Sequence, residues 1–115
     1  MNKATNDLQR AKAAAAFAAL GSEQRLDILK TLVRAGPQGL TMGVLGDRTG
    51  VGGSTLTHHL KILLAADLVI QEKKGRSVVC SAASFQSVSD LSSYLLQHCC
   101  ADAETSEQAG EHSHD

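Results

Sequence analysis

Two of the three cysteines in this sequence, Cys99 and Cys100, are adjacent and follow an apolar stretch with helical spacing. A disulfide between neighbours would close a strained small ring, far from relaxed disulfide geometry. Two neighbouring thiolates can instead turn toward one soft ion, because the ion enlarges the ring. The pair is therefore a candidate ligand site for a thiophilic ion. The competing interpretation is that both cysteines are small apolar residues that end a helix.

A second set of residues has the chemistry of nucleic-acid contacts. Polar groups face away from the leucines of residues 54–66: Ser54, Thr55, Thr57, His58 and Lys61. Small hydroxyls and histidine can hydrogen-bond base edges or phosphates, and lysine can neutralise a phosphate. A basic cluster follows in "EKKGR": Lys73, Lys74 and Arg76. Such a cationic tip suits a minor groove or a phosphate backbone, whereas the competing interpretation is a solvated helix face and a protected edge strand.

The composition favours a single cytoplasmic domain. With 115 residues, 43% of them hydrophobic and 3% aromatic, the chain can build one modest core from aliphatic side chains. No apolar run approaches the length needed to cross a membrane, and the N-terminus lacks a signal-peptide core. Thiols stay reduced in the cytoplasm, and three unevenly spaced cysteines are not a disulfide framework. No catalytic set is visible, so we predict a protein that is not an enzyme.

The charge is divided unevenly along the chain. The net charge is −1, but residues 101–115 hold five of the twelve acidic residues and none of the eleven basic ones. Residues 1–100 therefore carry seven acidic residues and a balance of +4. We predict a mildly basic folded domain over residues 1–100 and a disordered acidic tail over residues 101–115.

Apolar periodicity and turn residues predict a mainly helical chain with one β-hairpin. Helical spacing recurs in five segments: 5–20, 23–35, 42–50, 54–66 and 84–100. Two β-branched stretches flank Gly75, which suits a hairpin tip. Ser22 and Thr41 can cap the second and third helices, and Gly36 can end the second. The third and fourth helices, joined by a glycine-rich turn, form the helix-turn-helix pattern, whose second helix can enter a DNA major groove.

These features together resemble a known family. The segment "GVGGSTLTHHLKILLAADLVIQEKKGRSVVCS" is similar to the winged-helix repressors of the ArsR/SmtB family, and "LGSEQRLDILKTL" is similar to that family's second helix. The similarity spans residues 10–98. It implies a mainly α winged helix-turn-helix with a β-hairpin wing, in the order of four helices, two strands and a last helix. It also implies a homodimer through the first and last helices, binding to palindromic operator DNA, and repression of transcription.

The resemblance further implies release from DNA when a toxic metal, a metalloid or a redox agent reaches sensor thiols. This sequence departs from three sensor patterns of the family. Residues 42–50 contain no Cys-x-Cys pair, and residues 23–35 contain no cysteine to match the persulfide sensors. The positions that match the zinc sensors hold Ser84, Gln86, Gln97 and Cys100. Adjacent cysteines at the end of the last helix instead look like a subgroup that senses trivalent arsenic.

Trivalent arsenic, as arsenite or methylarsenite, is accordingly the predicted inducer, with Cys99 and Cys100 as its ligands. Arsenite can take three sulfurs, whereas a monomethylated arsenical needs two. Cys80 is a core residue by default, but family dimers pack their last helices antiparallel, so Cys80 of one chain is a candidate third ligand for the pair of the other. Two alternatives stay open: oxidation of accessible thiols, and a zinc-responsive or other metal-responsive repressor of the same fold.

Overall fold

The computed structural model describes residues 3–103, with side chains from residue 6 onward. Five helices and three strands follow one another: α1 (Lys3–Ala19), α2 (Glu23–Ala35), β1 (Leu40–Thr41), α3 (Met42–Thr49), α4 (Gly53–Ala65), β2 (Val69–Lys74), β3 (Ser77–Ala82) and α5 (Phe85–Leu96). Most of the predicted acidic tail, residues 104–115, lies outside the described part of the chain. None of the helices described is both long and apolar enough to span a membrane.

The predicted mainly α fold with a hairpin wing is confirmed, with one strand added. β1 pairs antiparallel with β3, so the sheet has the order β1-β3-β2. A two-residue strand shows no alternation in sequence, which is why it was not predicted. Gly39 precedes it with a φ of 72°, and a Cβ on Gly39 would collide with the carbonyl oxygen of Cys80. Only glycine lets β1 approach β3 this closely.

The predicted helix boundaries at α2 and α3 are confirmed by their capping contacts. The Ser22 hydroxyl accepts the N–H of Arg25 at 3.3 Å, and the Thr41 hydroxyl accepts the N–H of Val44 at 3.3 Å. Each contact satisfies a first-turn donor that has no partner within its helix. α2 ends at Gly36, whose φ of 85° places it in a conformation that favours glycine.

The core lies between α2, α3, α4 and the sheet. Its fully buried side chains are Ile28, Leu32, Leu45, Leu60, Leu63 and Cys80. Leu56, Leu60 and Leu63 recur at helical spacing on α4 and are all buried, as the sequence predicts. Burying one such side chain is worth about 1.5–3 kcal/mol relative to leaving it exposed. One face of α4 is thus fixed against the domain, and the opposite face is left to solvent.

The last helix is shorter than predicted. α5 ends at Leu96 rather than at residue 100, and none of its residues is buried. Beyond it, the N–H of Cys99 donates to the carbonyl of Leu96 and the N–H of Ala101 to that of His98, both at 2.9 Å. These contacts between residues three apart form successive turns. Cys100 has a φ of 64°, which an α-helix does not accommodate.

Candidate DNA-binding surface and thiol sites

The outer face of α4 presents the polar set that the sequence predicts. Ser54, Thr55, Thr57, His58 and Lys61 are all exposed. Because Leu56, Leu60 and Leu63 are buried on the other side, the backbone beneath this polar set is fixed by core packing. A helix that is held in this way can present hydroxyl, imidazole and ammonium groups to a groove without first being ordered.

Two details of α4 were not predicted from the sequence. The Thr57 hydroxyl donates to the Gly53 carbonyl at 3.0 Å, so its lone pairs stay available to accept a further hydrogen bond. The N-cap residue is Gly52, which provides no side-chain acceptor for the first-turn N–H groups. N–H groups at a helix start favour anions, so a phosphate suits this position.

The basic hairpin tip projects from the sheet. Lys73, Lys74 and Arg76 are exposed, whereas Val69 at the base of β2 is buried. Lys74 pairs with Ser77 across the turn, and its ammonium nitrogen lies 3.8 Å from a Glu72 carboxylate oxygen. Exposed ion pairs of this kind are weak. The tip therefore carries an accessible positive charge on a hairpin whose base is held in the core.

A buried histidine connects α4 to α2. The His59 ring is 9% exposed, with Nε2 2.8 Å from the Gln24 side-chain oxygen and Nδ1 3.3 Å from an Arg25 guanidinium nitrogen. Since arginine only donates, Nδ1 accepts and Nε2 carries the proton. Arg25 also donates from Nε to the carbonyl of Ala19 at 2.6 Å. This network, which joins α4 to the end of α1, was not predicted from the sequence.

This environment changes the protonation of the ring. Burial, the Arg25 charge and the neighbouring His58 together lower the pKa of His59 below its ordinary value. All three causes disfavour a charged imidazole. The neutral form is also the one that can accept from Arg25 while donating to Gln24.

The adjacent cysteines are exposed and in contact. The sulfurs of Cys99 and Cys100 lie 3.4 Å apart, in the turn after α5. With bonds of about 2.3 Å, as in zinc thiolates, two sulfurs at that separation subtend ~95° at a shared atom. A hydrogen bond that the Cys100 thiol donates to Cys99, together with the charge on Cys99 and desolvation, raises the pKa of Cys100. Because the two sulfurs are exposed and already in contact, both can turn toward one atom.

Cys80 occupies a different environment. It lies in β3 between Leu40 of β1 and Gln71 of β2, and its thiol is fully buried. Burial raises the pKa of this thiol, and a hydrogen bond from Gln71 opposes the effect. At 1.5 Å per residue, the twelve residues of α5 extend about 18 Å between the sheet and the turn with Cys99 and Cys100. One chain therefore does not bring its three cysteines together.

Within residues 3–103, no group of three or more His, Cys, Asp or Glu side chains is placed to hold a metal ion. A metal site of ordinary zinc type, with four nitrogen, sulfur or carboxylate ligands, is therefore not preformed in this part of one chain. The adjacent sulfurs of Cys99 and Cys100 are a soft-ligand site that these residues offer.

Comparison with known proteins agrees with the architecture. A family profile described as a helix-turn-helix domain matches residues 20–72, which span α2 to the start of β2. The structure of an ArsR-like transcriptional regulator from Rhodococcus sp. RHA1 is similar, with 29% identity, a TM-score of 0.68, and coverage of 82% of this chain and 84% of that one. No curated protein sequence matches the chain.

Two further solved structures have the same fold. HlyU from Vibrio cholerae N16961 is 28% identical with a TM-score of 0.63, and the match covers 87% of this chain and 99% of that one. A homodimeric winged helix-turn-helix DNA-binding domain from Mycobacterium bovis, described as a possible ArsR-family regulator, is 24% identical with a TM-score of 0.65. That match covers 100% of this chain and 95% of the other, and it bears on the fold alone. The family profile thus matches the helix-turn-helix part of this chain, and the Rhodococcus structure is similar to most of its fold.

Proposed function

We propose that this chain is a homodimeric transcriptional repressor that leaves its operator when trivalent arsenic binds the thiolates of Cys99 and Cys100. The observation that carries the DNA-binding half is the exposed polar face of α4, which is backed by buried leucines within a helix-turn-helix. The inducer half is carried by two exposed sulfurs 3.4 Å apart. Binding to operator DNA and reduced thiols both fit a cytoplasmic protein.

Each part of the proposed DNA surface has a distinct task. Thr57 and His58, near the middle of α4, suit base edges in the major groove, because the Thr57 hydroxyl can accept and the His58 imidazole can both donate and accept. Lys61 and the uncapped start of α4 suit phosphates, which fix the position of the helix. Lys73 and Arg76 on the hairpin tip suit the backbone or the adjacent minor groove.

Exposed apolar side chains support a dimer through α1 and α5. Of the nine large hydrophobic residues that are exposed between positions 6 and 103, five lie on these two helices: Leu8, Phe17, Phe85, Leu95 and Leu96. Phe85 is 84% exposed, a costly position for an aromatic ring in water. A partner that packs on this surface would remove these side chains from solvent, and the Mycobacterium bovis domain of the same fold is itself a homodimer.

The chemistry of the cysteine pair favours a thiophilic element. Trivalent arsenic is soft, and thiolates are the protein ligands that match it. An S–As–S angle of ~95°, which follows from bonds of about 2.3 Å and the 3.4 Å separation of the sulfurs, suits a pyramidal centre with a lone pair. Both thiols are exposed, so an arsenical can reach them without a rearrangement of the core.

The fully buried thiol of Cys80 argues for two thiolates rather than three. To serve as the third ligand for the partner's pair, Cys80 would have to leave the sheet and give up its contacts with Gln71 and Met42. We therefore propose that a monomethylated arsenical, which needs two sulfurs, is sensed in preference to arsenite, which can use three.

The route from the thiols to DNA runs through the dimer interface. The pair follows α5 directly, and α5 packs on α1. The end of α1 is bonded to Arg25, and Arg25 is bonded to His59 on α4. An arsenic atom that favours one arrangement of α5 can thus change the spacing of the two α4 helices, which must match major grooves about 34 Å apart. By linkage, DNA must weaken arsenic binding by the same factor.

DNA binding is tested by fluorescence anisotropy with a labelled fragment of the promoter region of the protein's own gene. We expect His58→Ala to lose about 1–3 kcal/mol on this fragment and to change binding to unrelated DNA little, because a base contact carries specificity. His98→Ala is the matched control, since His98 is an exposed histidine in the turn after α5. No binding of the wild-type protein at low salt would contradict the DNA-binding half.

The inducer is identified by adding arsenite, methylarsenite, zinc or peroxide to the preformed complex under otherwise equal reducing conditions. We expect methylarsenite to release the DNA at the lowest concentration and arsenite at a higher one. Release by peroxide alone would replace arsenic sensing with thiol oxidation. Release by zinc alone would contradict both mechanisms.

A further inference from the structure

We propose that Cys80 and Met42 form a binding site for one soft monovalent cation of the Cu(I) class, separate from Cys99 and Cys100. The Cys80 sulfur lies 3.5 Å from the Met42 sulfur. Thiolate and thioether together form a donor set that selects Cu(I) over harder ions. The proposal concerns a second site and goes beyond the arsenic-responsive repressor.

The two sulfurs share a third neighbour. The Gln71 side-chain nitrogen lies 3.6 Å from the Cys80 sulfur and 3.9 Å from the Met42 sulfur. Rotation of the amide by half a turn would place its oxygen at the same position, facing both sulfurs. The two sulfurs select a soft cation, and the harder amide oxygen would complete a three-coordinate set as a weak third ligand.

The site requires a small adjustment to hold an ion. A trigonal centre with bonds of about 2.3 Å needs sulfurs about 4.0 Å apart, compared with the 3.5 Å between Cys80 and Met42. Methionine can supply the difference, because its unbranched side chain has three rotatable bonds. Cys80 is held in β3 by neighbours on both sides, so it provides the fixed ligand.

The site is also accessible. Cys80 is fully buried, but Met42 is half-buried and Gln71, which lies across both sulfurs, is exposed. An ion can therefore approach the two sulfurs from the side of Met42 and Gln71. On binding, the thiol proton passes to solvent and the thiolate becomes the ligand, without a change in oxidation state.

The position of the site joins two parts of the fold. Met42 is the first residue of α3, which begins the helix-turn-helix, and Cys80 is in the central strand of the sheet that carries the basic hairpin. A cation between them would link α3 to β3 more firmly than the present hydrogen bond from the Cys80 thiol to the Met42 sulfur. Bound cation should therefore stabilise this chain against unfolding.

The test uses the full chain with Cys99→Ser and Cys100→Ser, so that Cys80 is its one remaining thiol. Cu(I) is titrated anaerobically against a chromophoric chelator, and methyl-labelled methionine is followed by NMR. We expect one Cu(I) per chain, a shift of the Met42 methyl resonance, and stabilisation against heat. Met42→Leu, which keeps an apolar side chain of similar size, should weaken binding at least tenfold, and Cys80→Ala should abolish it.

Three results would overturn the proposal. One is an unmoved Met42 methyl resonance at saturating Cu(I), and another is an unchanged affinity in Met42→Leu. The third is Zn²⁺ that binds as tightly as Cu(I). If Cys80→Ala does not fold, the NMR shift and Met42→Leu still decide the matter. Because the chain tested lacks Cys99 and Cys100, failure here is independent of failure of the arsenic site.

Discussion

The helix α4 and the segment that follows β3 are organised in opposite ways. α4 buries Leu56, His59, Leu60 and Leu63, whereas α5 buries no residue at all. The proposed DNA surface therefore lies on a helix that is fixed by its own chain. The proposed inducer site follows α5, which contacts α1 of its own chain but buries none of its residues there.

This difference suggests how one protein can keep the recognition of DNA separate from the response to an inducer. A DNA-reading surface benefits from a rigid support, because preorganised groups lose little entropy on binding. A sensor must instead have two arrangements of similar free energy, which a ligand can shift. In the proposed dimer, α5 and its cysteines would depend on the partner chain for their position, so an ion there can change how the two chains pack.

Loss of a buried leucine from α4 should have the largest effect. Leu60 is 1% exposed, so Leu60→Ala should lower the free energy of unfolding by about 2–5 kcal/mol. Urea denaturation followed by circular dichroism measures this change. Leu26→Ala is the matched control, because Leu26 is 44% exposed. Equal losses in the two variants would contradict the assignment of α4 to the core.

The second-largest effect is expected at α5, in the proposed dimer interface. Phe85→Ser with Leu96→Ser should weaken the dimer at least tenfold, since both side chains are exposed on α5 and would be buried only by a partner. Sedimentation equilibrium measures the dissociation constant. Val33→Ser with Val44→Ser serves as control, because these residues are also apolar and exposed but lie outside α1 and α5. Weakening in the control pair alone would place the dimer contact elsewhere.

A smaller effect is expected at the hairpin tip. Lys73→Ala with Arg76→Ala should weaken binding to all DNA and reduce the salt dependence by up to ~2 counterions per subunit. Anisotropy titrations at several salt concentrations give this slope. Lys30→Ala with Arg34→Ala removes the same charge from exposed positions on α2. If both pairs of substitutions change the slope equally, net charge matters rather than contact by the hairpin.

The smallest effect concerns His59. Because its folded-state pKa lies below the ordinary value, the unfolded chain binds a proton first as the pH falls. The stability that neutral His59 contributes is therefore complete above about pH 6.5 and is lost as the pH falls toward and through the lowered pKa. His59→Gln should remove this dependence, which is at most ~1.4 kcal/mol per pH unit for one group. Urea denaturation between pH 5 and pH 8, with His98→Gln as control, measures it; an unchanged pH dependence in His59→Gln would contradict the burial effect.

The sequence predicts those features of the fold that have a local or periodic signal. The caps at Ser22 and Thr41, the buried leucines of α4 and the turn at Gly75 are local or periodic signals, and all are confirmed. Contacts between distant residues leave no such signal. For that reason β1, the Arg25–His59 network and the Met42–Cys80 contact were not predicted. The end of α5 was predicted too late, because helical spacing continues through residues that no neighbour packs against.

The proposed mechanism depends most directly on release of DNA by an arsenical through the adjacent cysteines. Methylarsenite is added to labelled promoter DNA bound by the wild-type protein or by the variant with Cys99→Ser and Cys100→Ser, and the anisotropy is recorded. Both proteins should bind DNA equally well beforehand, because the turn after α5 lies outside the proposed DNA surface. The proposed mechanism predicts at least a tenfold loss of affinity, or about 1.4 kcal/mol, for the wild type alone. Equal release of both proteins would contradict it.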